Sequence, residues 1–309
     1  MGEVILDMDP GIDDALALML ALRSPEIELL AVTTVAGNAP LSTTTGNACR
    51  VLECMGEKDV PVFPGAAQPL KLALLGATDY HGDDGLGNCG LQPPTLQPQG
   101  TPAWDAIALH AHSRPGHITL VATGPLTNVA IAFERYPDLA DRLARLIVMG
   151  GAFDLTAYGK GNQTATAEFN IWQDPEAAAR VFASSIETFV VGLDVSTDPS
   201  ACLARQHVEH LKLGQGACAG IAAGLTGYAV SRHGRCELHD PLALAVVLDS
   251  SLFEFMTALV HVAVGTGRDR GTTRVLDSTS ARLRPPLHIA VRVDGPRFLD
   301  LFLSRLSER

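Results

Sequence analysis

The sequence lacks several features that would place it in well-defined functional classes. Its six cysteines form no Cys-x-x-Cys pair and no cysteine–histidine spacing typical of zinc sites. No apolar run approaches the roughly 20 residues that a membrane-spanning helix needs. Positive charge is scarce, because 23 lysines and arginines face 34 aspartates and glutamates, for a formal net charge of −11. These absences argue against a zinc protein, a membrane span, and a nucleic acid or anionic membrane as the main partner.

The same absences bear on the cellular compartment and on the ligand. Residues 1–3, which precede the first apolar strand pattern at residues 4–6, carry no basic side chain, so we expect no signal peptide. We therefore expect a soluble, cytoplasmic protein whose cysteines are reduced and mostly buried. A neutral small molecule, or one that is held through a cation, suits the acidic charge balance better than a polyanion.

Apolar, β-branched runs alternate with helix-like stretches along the whole chain. The strand patterns cover residues 4–6, 29–35, 118–122, 146–149, 188–193, 259–264 and 288–293. The helix patterns cover residues 15–22, 43–55, 104–112, 126–133, 176–183, 215–232, 242–248 and 297–306. This alternation predicts a Rossmann-like α/β fold, with a mostly parallel central sheet flanked by helices, in a single domain over residues 1–309. Residues 64–102 form the one long irregular region, and a loop of that length is more often functional than idle.

The most informative feature is the segment DMDPGIDD at residues 7–14, which joins the first strand to the first helix. Asp7 and Asp9 project from the same side of a strand, and Asp13 and Asp14 lie where the helix begins. Two carboxylates about 4 Å apart repel by roughly 4 kcal/mol at an effective dielectric near 20. Ordinary capping explains any one of these aspartates, but the group of four predicts a bound divalent cation. Carboxylate oxygens favour Ca²⁺ or Mg²⁺, and calcium tolerates a crowded acidic turn best.

Polar residues also follow other predicted strands, at the edge where ligands bind in such sheets. Asn38 follows the second strand, the segment TGPLTN at residues 123–128 follows the strand at 118–122, and a loop after 146–149 leads to Asn162, Glu168 and Asn170. Glu168 and Asn170 face the same way if that segment is extended. Together these groups suit a polyhydroxyl ligand such as a sugar, although solvated loop residues are the simpler alternative.

Two histidine segments remain ambiguous on sequence alone. His239-Asp240-Pro241 begins an apolar helical run, and Asp-Pro is an ordinary helix start in which the aspartate caps. Asp174-Pro175 has the same form and no evident chemistry. His81 lies in the turn-rich part of the long irregular region, where a solvated histidine is as common as a functional one.

Taken together, these motifs resemble the nucleoside hydrolase family, the inosine/uridine-preferring ribonucleoside N-glycosidases. The matching segments occur in family order and span nearly the whole chain: DMDPGIDD at 7–14, AGN at 36–38, HG at 81–82, TGPLTN at 123–128, MGGAF at 149–153, AEFN at 167–170 and HDP at 239–241. The first of them is highly specific. The resemblance implies the nucleoside hydrolase type of α/β fold and an enzyme of purine and pyrimidine nucleoside catabolism that is commonly a homotetramer or homodimer.

The resemblance also implies a site. Ca²⁺ would be held by Asp9, Asp14, Asp240 and the main-chain oxygen of Thr123. The ribose pocket would comprise Asp13, Asn38, Met149, Asn162, Glu168 and Asn170. His81 and His239 would lie near the base, as in the pyrimidine-accepting branch of the family. Members of that branch often carry two tyrosines one helical turn apart; this chain has Tyr228 and then Arg232, which leaves the base preference and the leaving-group acid open.

The expected reaction is hydrolysis of the N-glycosidic bond to ribose and free base by a calcium-bound water that Asp9 deprotonates, with His239 assisting the departing base. The main alternative is a haloacid-dehalogenase-type phosphatase, which also uses Asp-x-Asp after a strand and would make Asp7 the nucleophile with Mg²⁺. The position of Ile12 and the closely following Asp13 and Asp14 fit that motif poorly. A non-catalytic relative that binds nucleosides or calcium is the other alternative.

Overall fold

The computed structural model describes residues 1–75, 78–276 and 286–307, and its centre is one nine-stranded sheet. The strands are β1 (Gly2–Met8), β2 (Ile27–Thr34), β3 (Val62–Pro64), β4 (Ile118–Ala122), β5 (Arg145–Met149), β6 (Thr188–Val191), β7 (Phe253–Val262), β8 (Thr273–Leu276) and β9 (Leu287–Val293). Their order across the sheet is β3-β2-β1-β4-β5-β6-β9-β7-β8. Pairing is parallel from β3 through β9, and only β7 and β8 run antiparallel to their neighbours.

Helices cover both faces of this sheet. They are α1 (Ile12–Leu22), α2 (Leu41–Met55), α3 (Thr78–His81), α4 (Ala103–Ser113), α5 (Thr127–Arg135), α6 (Leu139–Arg142), α7 (Phe169–Gln173), α8 (Pro175–Val181), α9 (Leu193–Ser196), α10 (Arg205–Leu213), α11 (Ala217–His233), α12 (His239–Leu248) and α13 (Gly295–Ser307). Helices α1, α2, α11, α12 and α13 enclose one apolar core, and α4, α5 and α8 enclose the other. Strand β1 contributes to both, because Val4 and Leu6 face the first core while Ile5 faces the second. The predicted α/β class with a mostly parallel sheet is confirmed.

The order of the strands places one edge of the sheet where a ligand can bind. From β1 the chain builds β2 and β3 on one side, and later β4, β5 and β6 on the other. The connections therefore diverge beyond the carboxyl ends of β1 and β4 and leave a crevice there. Every motif that follows one of these strands is brought to this crevice.

All seven predicted strands and all eight predicted helices are present, although several ends differ. Two short strands, β3 and β8, and five short helices (α3, α6, α7, α9 and α10) were not predicted. A strand of three or four residues is too short to show the alternation of apolar and polar residues that identifies a strand in a sequence. It forms because the neighbouring strand supplies hydrogen-bond partners. None of the described helices combines the length and apolarity that crossing a membrane requires. The six cysteines are free thiols, four of them buried.

Candidate active site

A cavity of about 200 Å³ lies beyond the carboxyl ends of the central strands. Its lining residues are Asp13, Asn38, Tyr80, His81, Thr123, Met149, Asn162, Gln163, Glu168, Phe169, Asn170, Glu237, His239 and Asp240. The structure thus brings together all the site residues expected from the sequence except two. Asp9 and Asp14 do not line the cavity; instead they hydrogen-bond to residues that do.

The carboxylate of Asp9 packs against Gly37 and Gly124, where any larger side chain would clash with it. Its Oδ2 accepts a hydrogen bond from the Asn38 backbone amide at 2.6 Å, while its Oδ1 is buried and has no hydrogen-bond partner among the described residues. A Cβ on Gly124 would lie 2.7 Å from that Oδ1, and a Cβ on Gly37 would overlap the other carboxylate oxygen. Burial, followed by the charge of Asp14, raises the pKa of Asp9 well above its ordinary value.

Asp14 is held on all sides by the loops that follow β1, β2 and β4. Its Oδ1 accepts from the Thr123 hydroxyl at 2.9 Å, and its Oδ2 accepts from the Gly11 amide at 3.0 Å and the Asn38 side-chain amide at 3.2 Å. Burial raises the pKa of Asp14, and these hydrogen bonds oppose the rise. The Thr123 hydroxyl is a contact that the sequence did not reveal, since only the main-chain oxygen of Thr123 was expected to matter.

Three carboxylates meet beside the cavity, two of which line it while Asp14 does not. Asp13, Asp14 and Asp240 each offer an oxygen, and these oxygens lie within 4.8 Å of one another. Burial and the charge of Asp14 raise the pKa of Asp13 to about 7, and burial followed by the charges of Asp13, Asp14 and Asp9 raises that of Asp240 well above its ordinary value. Buried carboxyls that resist ionisation this strongly are relieved either by shared protons or by a cation.

The two Asp-Pro pairs of the chain have different structures. Asp174 caps α8, because its Oδ1 accepts from the Ala177 amide at 3.0 Å. Asp240 does not cap α12, since that helix begins one residue earlier, at His239, and Leu238 occupies the cap position. The simpler interpretation of Asp240 as a helix cap is therefore wrong. Its carboxylate is free to face Asp13 and Asp14.

The wall opposite the aspartates comes from the segment around α7. Glu168 and Asn170 would face the same way in an extended segment, but this segment is not extended. Helix α7 begins at Phe169, and Glu168 caps it by accepting from the amides of Asn170, Ile171 and Gly151. These hydrogen bonds only partly offset burial, which raises the pKa of Glu168. Both side chains still reach the cavity.

Backbone groups fix the two asparagines of this wall through hydrogen bonds. Asn170 donates from Nδ2 to the main-chain oxygen of Thr123 at 2.6 Å and lies 3.5 Å from the Met149 sulfur. Asn162 accepts at Oδ1 from the Phe169 amide at 2.9 Å. The amide of Asn170 is thereby fixed against the ends of β4 and β5.

His81 enters the cavity from the long irregular region, and its tautomer follows from its contacts. The backbone amide of Ile12 donates to His81 Nδ1 at 3.1 Å, so this nitrogen is an acceptor and carries no proton. Burial, followed by the charges of His239 and His233, lowers the pKa of His81 to about 3. The ring is therefore neutral at ordinary pH and contributes an Nε2–H donor to the cavity.

We expect His81 to make the protein sensitive to acid. A histidine whose folded pKa lies near 3 but whose unfolded pKa is near 6.5 takes up a proton only on unfolding, so its contribution is complete above pH 6.5 and is lost as the pH falls toward 3. Between pH 7.5 and 4.5 the free energy of unfolding should fall by about 2–3 kcal/mol more in wild type than in His81→Asn, which keeps an acceptor for the Ile12 amide. Urea unfolding at both pH values measures this; parallel losses would contradict it.

His239 lies at the outer side of the aspartate cluster and is held by two polar partners. Its Nδ1 lies 2.8 Å from the Ser196 hydroxyl, and its Nε2 lies 3.5 Å from Glu237 Oε2. Burial opposes protonation of His239, but the hydrogen bond and charge of Glu237, with smaller contributions from Asp13 and Glu168, raise its pKa. Glu237 is in turn bound by Arg235, whose Nε and Nη2 lie 3.1 and 2.5 Å from Oε1.

The cavity also contains residues that the sequence analysis did not single out: Tyr80, Gln163, Phe169 and Glu237. The aromatic side chain at the outer end is Tyr80, which stacks on His233 with ring centroids 4.5 Å apart. Tyr228 does not line the cavity; its ring lies against Arg232 at 5.8 Å. A carboxylate two residues before a histidine, as in Glu237 and His239, is the only one of these features that the sequence could have suggested.

Comparison with known proteins agrees with this geometry. Residues 4–300 match the family model described as inosine-uridine preferring nucleoside hydrolase. A pyrimidine-specific ribonucleoside hydrolase RihA from Salmonella arizonae is 37% identical over 98% of both chains. Among solved structures, a plant nucleoside hydrolase (PpNRh1) is 34% identical with a TM-score of 0.93, and a purine-preferring ribonucleoside hydrolase from Gardnerella vaginalis is 30% identical with a TM-score of 0.90. Each alignment covers 99% of this chain. The alignments cover 99% of the plant enzyme and 98% of the Gardnerella enzyme.

The activities for which these relatives are named agree with the chemistry of the cavity. The relatives favour neither a phosphatase nor a non-catalytic binding protein. A family match over nearly the whole chain, with relatives above 30% identity at full coverage, establishes descent and fold together. The chain is a nucleoside hydrolase and belongs to the inosine-uridine preferring nucleoside hydrolase family.

Proposed function

We propose that this enzyme hydrolyses the N-glycosidic bond of ribonucleosides to ribose and free base, with pyrimidine ribonucleosides among its substrates. One observation carries the proposal: a single cavity is lined by two aspartates of the carboxylate cluster, by three asparagines and Glu168, and by two histidines. The hydroxyl groups of a pentose can hydrogen-bond to the carboxylates and amides, and a heterocyclic base can contact the histidines. The pyrimidine preference rests on the relatives at 36–37% identity, which are named pyrimidine-specific.

We assign a calcium ion to the aspartate end of the cavity, held by Asp9, Asp14, Asp240 and the main-chain oxygen of Thr123. Two observations support this assignment: Asp14 and Asp240 offer carboxylate oxygens within 4.8 Å of one another, and Asp9 Oδ1 is buried without a hydrogen-bond partner among the described residues. Asp9 is not part of that convergent group, whose third carboxylate is Asp13. Carboxylate oxygens are the ligands that calcium selects. When bound, the ion would neutralise the carboxylates and act as a Lewis acid toward the oxygen atoms it contacts.

The ribose would be held by the residues of the floor and the wall: Asp13, Asn38, Met149, Asn162, Glu168 and Asn170. Asp13 lines the cavity and its Oδ1 has no hydrogen-bond partner among the described residues, so it would accept from a sugar hydroxyl, and the Met149 side chain offers an apolar contact to the ring. Several of these groups are already fixed by hydrogen bonds, such as Asn170 on Thr123 and Glu168 on backbone amides. A ribose would therefore meet a prearranged set of partners, which lowers the cost of orienting it for attack.

Asp9 would remove the proton from the attacking water, since its Oδ1 is a carboxylate oxygen that no described residue occupies. His239 and His81 would contact the base, with the ring of His239 held by Ser196 and Glu237. A hydrogen bond or a proton from His239 would reduce the negative charge on the departing base. A cytoplasmic location and a homotetrameric or homodimeric state remain predictions of the family resemblance.

A direct assay tests the function. The purified protein, supplied with calcium, is incubated with cytidine, uridine, inosine, adenosine and guanosine, while reducing sugar and free base are measured in parallel. We expect equimolar ribose and base from at least one pyrimidine ribonucleoside, loss of activity after prolonged chelation, and recovery on adding calcium. Binding of a ribonucleoside with no sugar released, or release of phosphate from phosphomonoesters instead, would contradict the proposal.

A further inference from the structure

The outer end of the cavity is formed by two residues that also line a neighbouring, more open cavity. Tyr80 and Glu237 belong to both; the second cavity adds His233, Gly234 and Arg235. These two side chains therefore lie where the cavity meets the more open one. A nucleoside whose sugar sits beside the aspartates would direct its base toward Tyr80 and Glu237.

Glu237 has a fixed orientation and one unused acceptor position. A carboxylate offers about four acceptor positions, two on each oxygen. Arg235 occupies both positions of Oε1, at 3.1 and 2.5 Å, and His239 Nε2 lies near Oε2 at 3.5 Å. The second position of Oε2 has no partner among the described residues. The side chain is 19% exposed and lines the cavity.

Glu237 is also an acceptor under all ordinary conditions. Burial favours its neutral form, but His239 and Arg235 outweigh that effect and hold the pKa of Glu237 at about 2. Across the cavity, neutral His81 offers a donor through Nε2–H. The base end thus presents one fixed acceptor that bears a full negative charge and one fixed donor.

We propose that Glu237, held by Arg235, is a specificity-determining residue that accepts a hydrogen bond from an exocyclic amino group of the base and so favours cytidine over uridine. The inference rests on the proposed nucleosidase function and adds a substrate preference to it. An amino group placed at Oε2 donates to a charged acceptor, which is the stronger kind of hydrogen bond. A carbonyl at the same place meets a carboxylate with no donor between them, and this repulsion discriminates as effectively as the attraction does.

Glu237→Gln tests the proposal, because glutamine keeps the size of the side chain and can turn either a donor or an acceptor to the base. We expect the ratio of kcat/KM for cytidine to kcat/KM for uridine to fall at least tenfold in this variant. To separate a direct contact from an effect through His239, the same change is made in a His239→Gln background, where a residue that acts only through His239 leaves the ratio unchanged and a direct hydrogen bond to the base still lowers it. An unchanged ratio would therefore overturn the proposal.

Glu254→Gln is the matched control. Glu254 also pairs with an arginine, with Arg292 Nη1 at 2.8 Å, but it lies on β7 away from the cavity, so the ratio should remain that of wild type. If Glu237→Gln does not fold, wild type decides between cytidine and the ribonucleoside of pyrimidin-2-one, which lacks the amino group without adding bulk. A KM at least tenfold higher for the latter is expected, and equal values overturn the proposal. Failure of the proposed function would look different, since no nucleoside would then be cleaved.

Discussion

Asp9→Asn is expected to lower kcat for ribose release by about three to four orders of magnitude at saturating calcium and nucleoside. Asparagine keeps the shape of the side chain and can still accept the hydrogen bond that the Asn38 amide gives to Oδ2. It cannot take a proton from water, and it places an amide where the unpartnered Oδ1 lies. Measuring kcat and KM separately distinguishes this effect from weaker substrate binding, because a lost general base lowers kcat while a lost contact to the ribose raises KM.

Asp194→Asn is the control for this experiment. Asp194 is equally buried and lies just after β6; its oxygens accept from the amides of Phe153 and Leu155 at 2.8 and 2.7 Å, but it does not line the cavity. Its replacement should leave kcat within tenfold of wild type in the folded protein. If Asp9→Asn retained a similar share of activity, Asp9 would not be the general base, whatever the state of the metal site.

The sequence predicted the part of the site in which the spacing of the residues along the chain permits one structural arrangement. A strand pattern followed directly by DMDPGIDD fixes Asp9, Asp13 and Asp14 at the carboxyl end of β1, whichever helices pack around it. Parallel strands then bring the segments after β2, β4 and β5 to the same edge. The order of the motifs along the chain was therefore enough to predict which of them meet.

The base end could not be predicted in this way, because it depends on contacts between segments that are remote in sequence. Tyr80 reaches the cavity through the long irregular region and is held by stacking on His233 of α11, which no local pattern records. The orientation of Glu237 depends on its contacts with Arg235 and His239. The sequence does not show which way these three side chains turn. Asp240 shows the same limit: its Asp-Pro pair is locally identical to that at Asp174, and only the start of α12 at His239 distinguishes them.

That difference between the two Asp-Pro pairs leads to the second large effect. Asp240→Asn should weaken calcium binding at least about 100-fold, because it removes one of the three carboxylates that converge within 4.8 Å and lowers the charge of the site. Isothermal titration of chelator-treated protein with calcium measures the affinity. The activity should follow the calcium affinity. The variant should therefore gain activity over a range of calcium concentrations at which wild type is already saturated.

Asp174→Asn provides a control with the same local sequence. Asp174 also precedes a proline at a helix start, but its oxygens serve the Ala177 amide, the Leu70 amide and the Thr127 hydroxyl at 2.7–3.0 Å. Its replacement should cost about 1 kcal/mol of stability through the weakened cap and leave calcium affinity within about twofold of wild type. Equal losses of affinity in both variants would mean that the aspartates act through folding alone. Because one carboxylate caps its helix and the other does not, only Asp240 has oxygens left for a cation, and the two variants separate that role from the shared Asp-Pro motif.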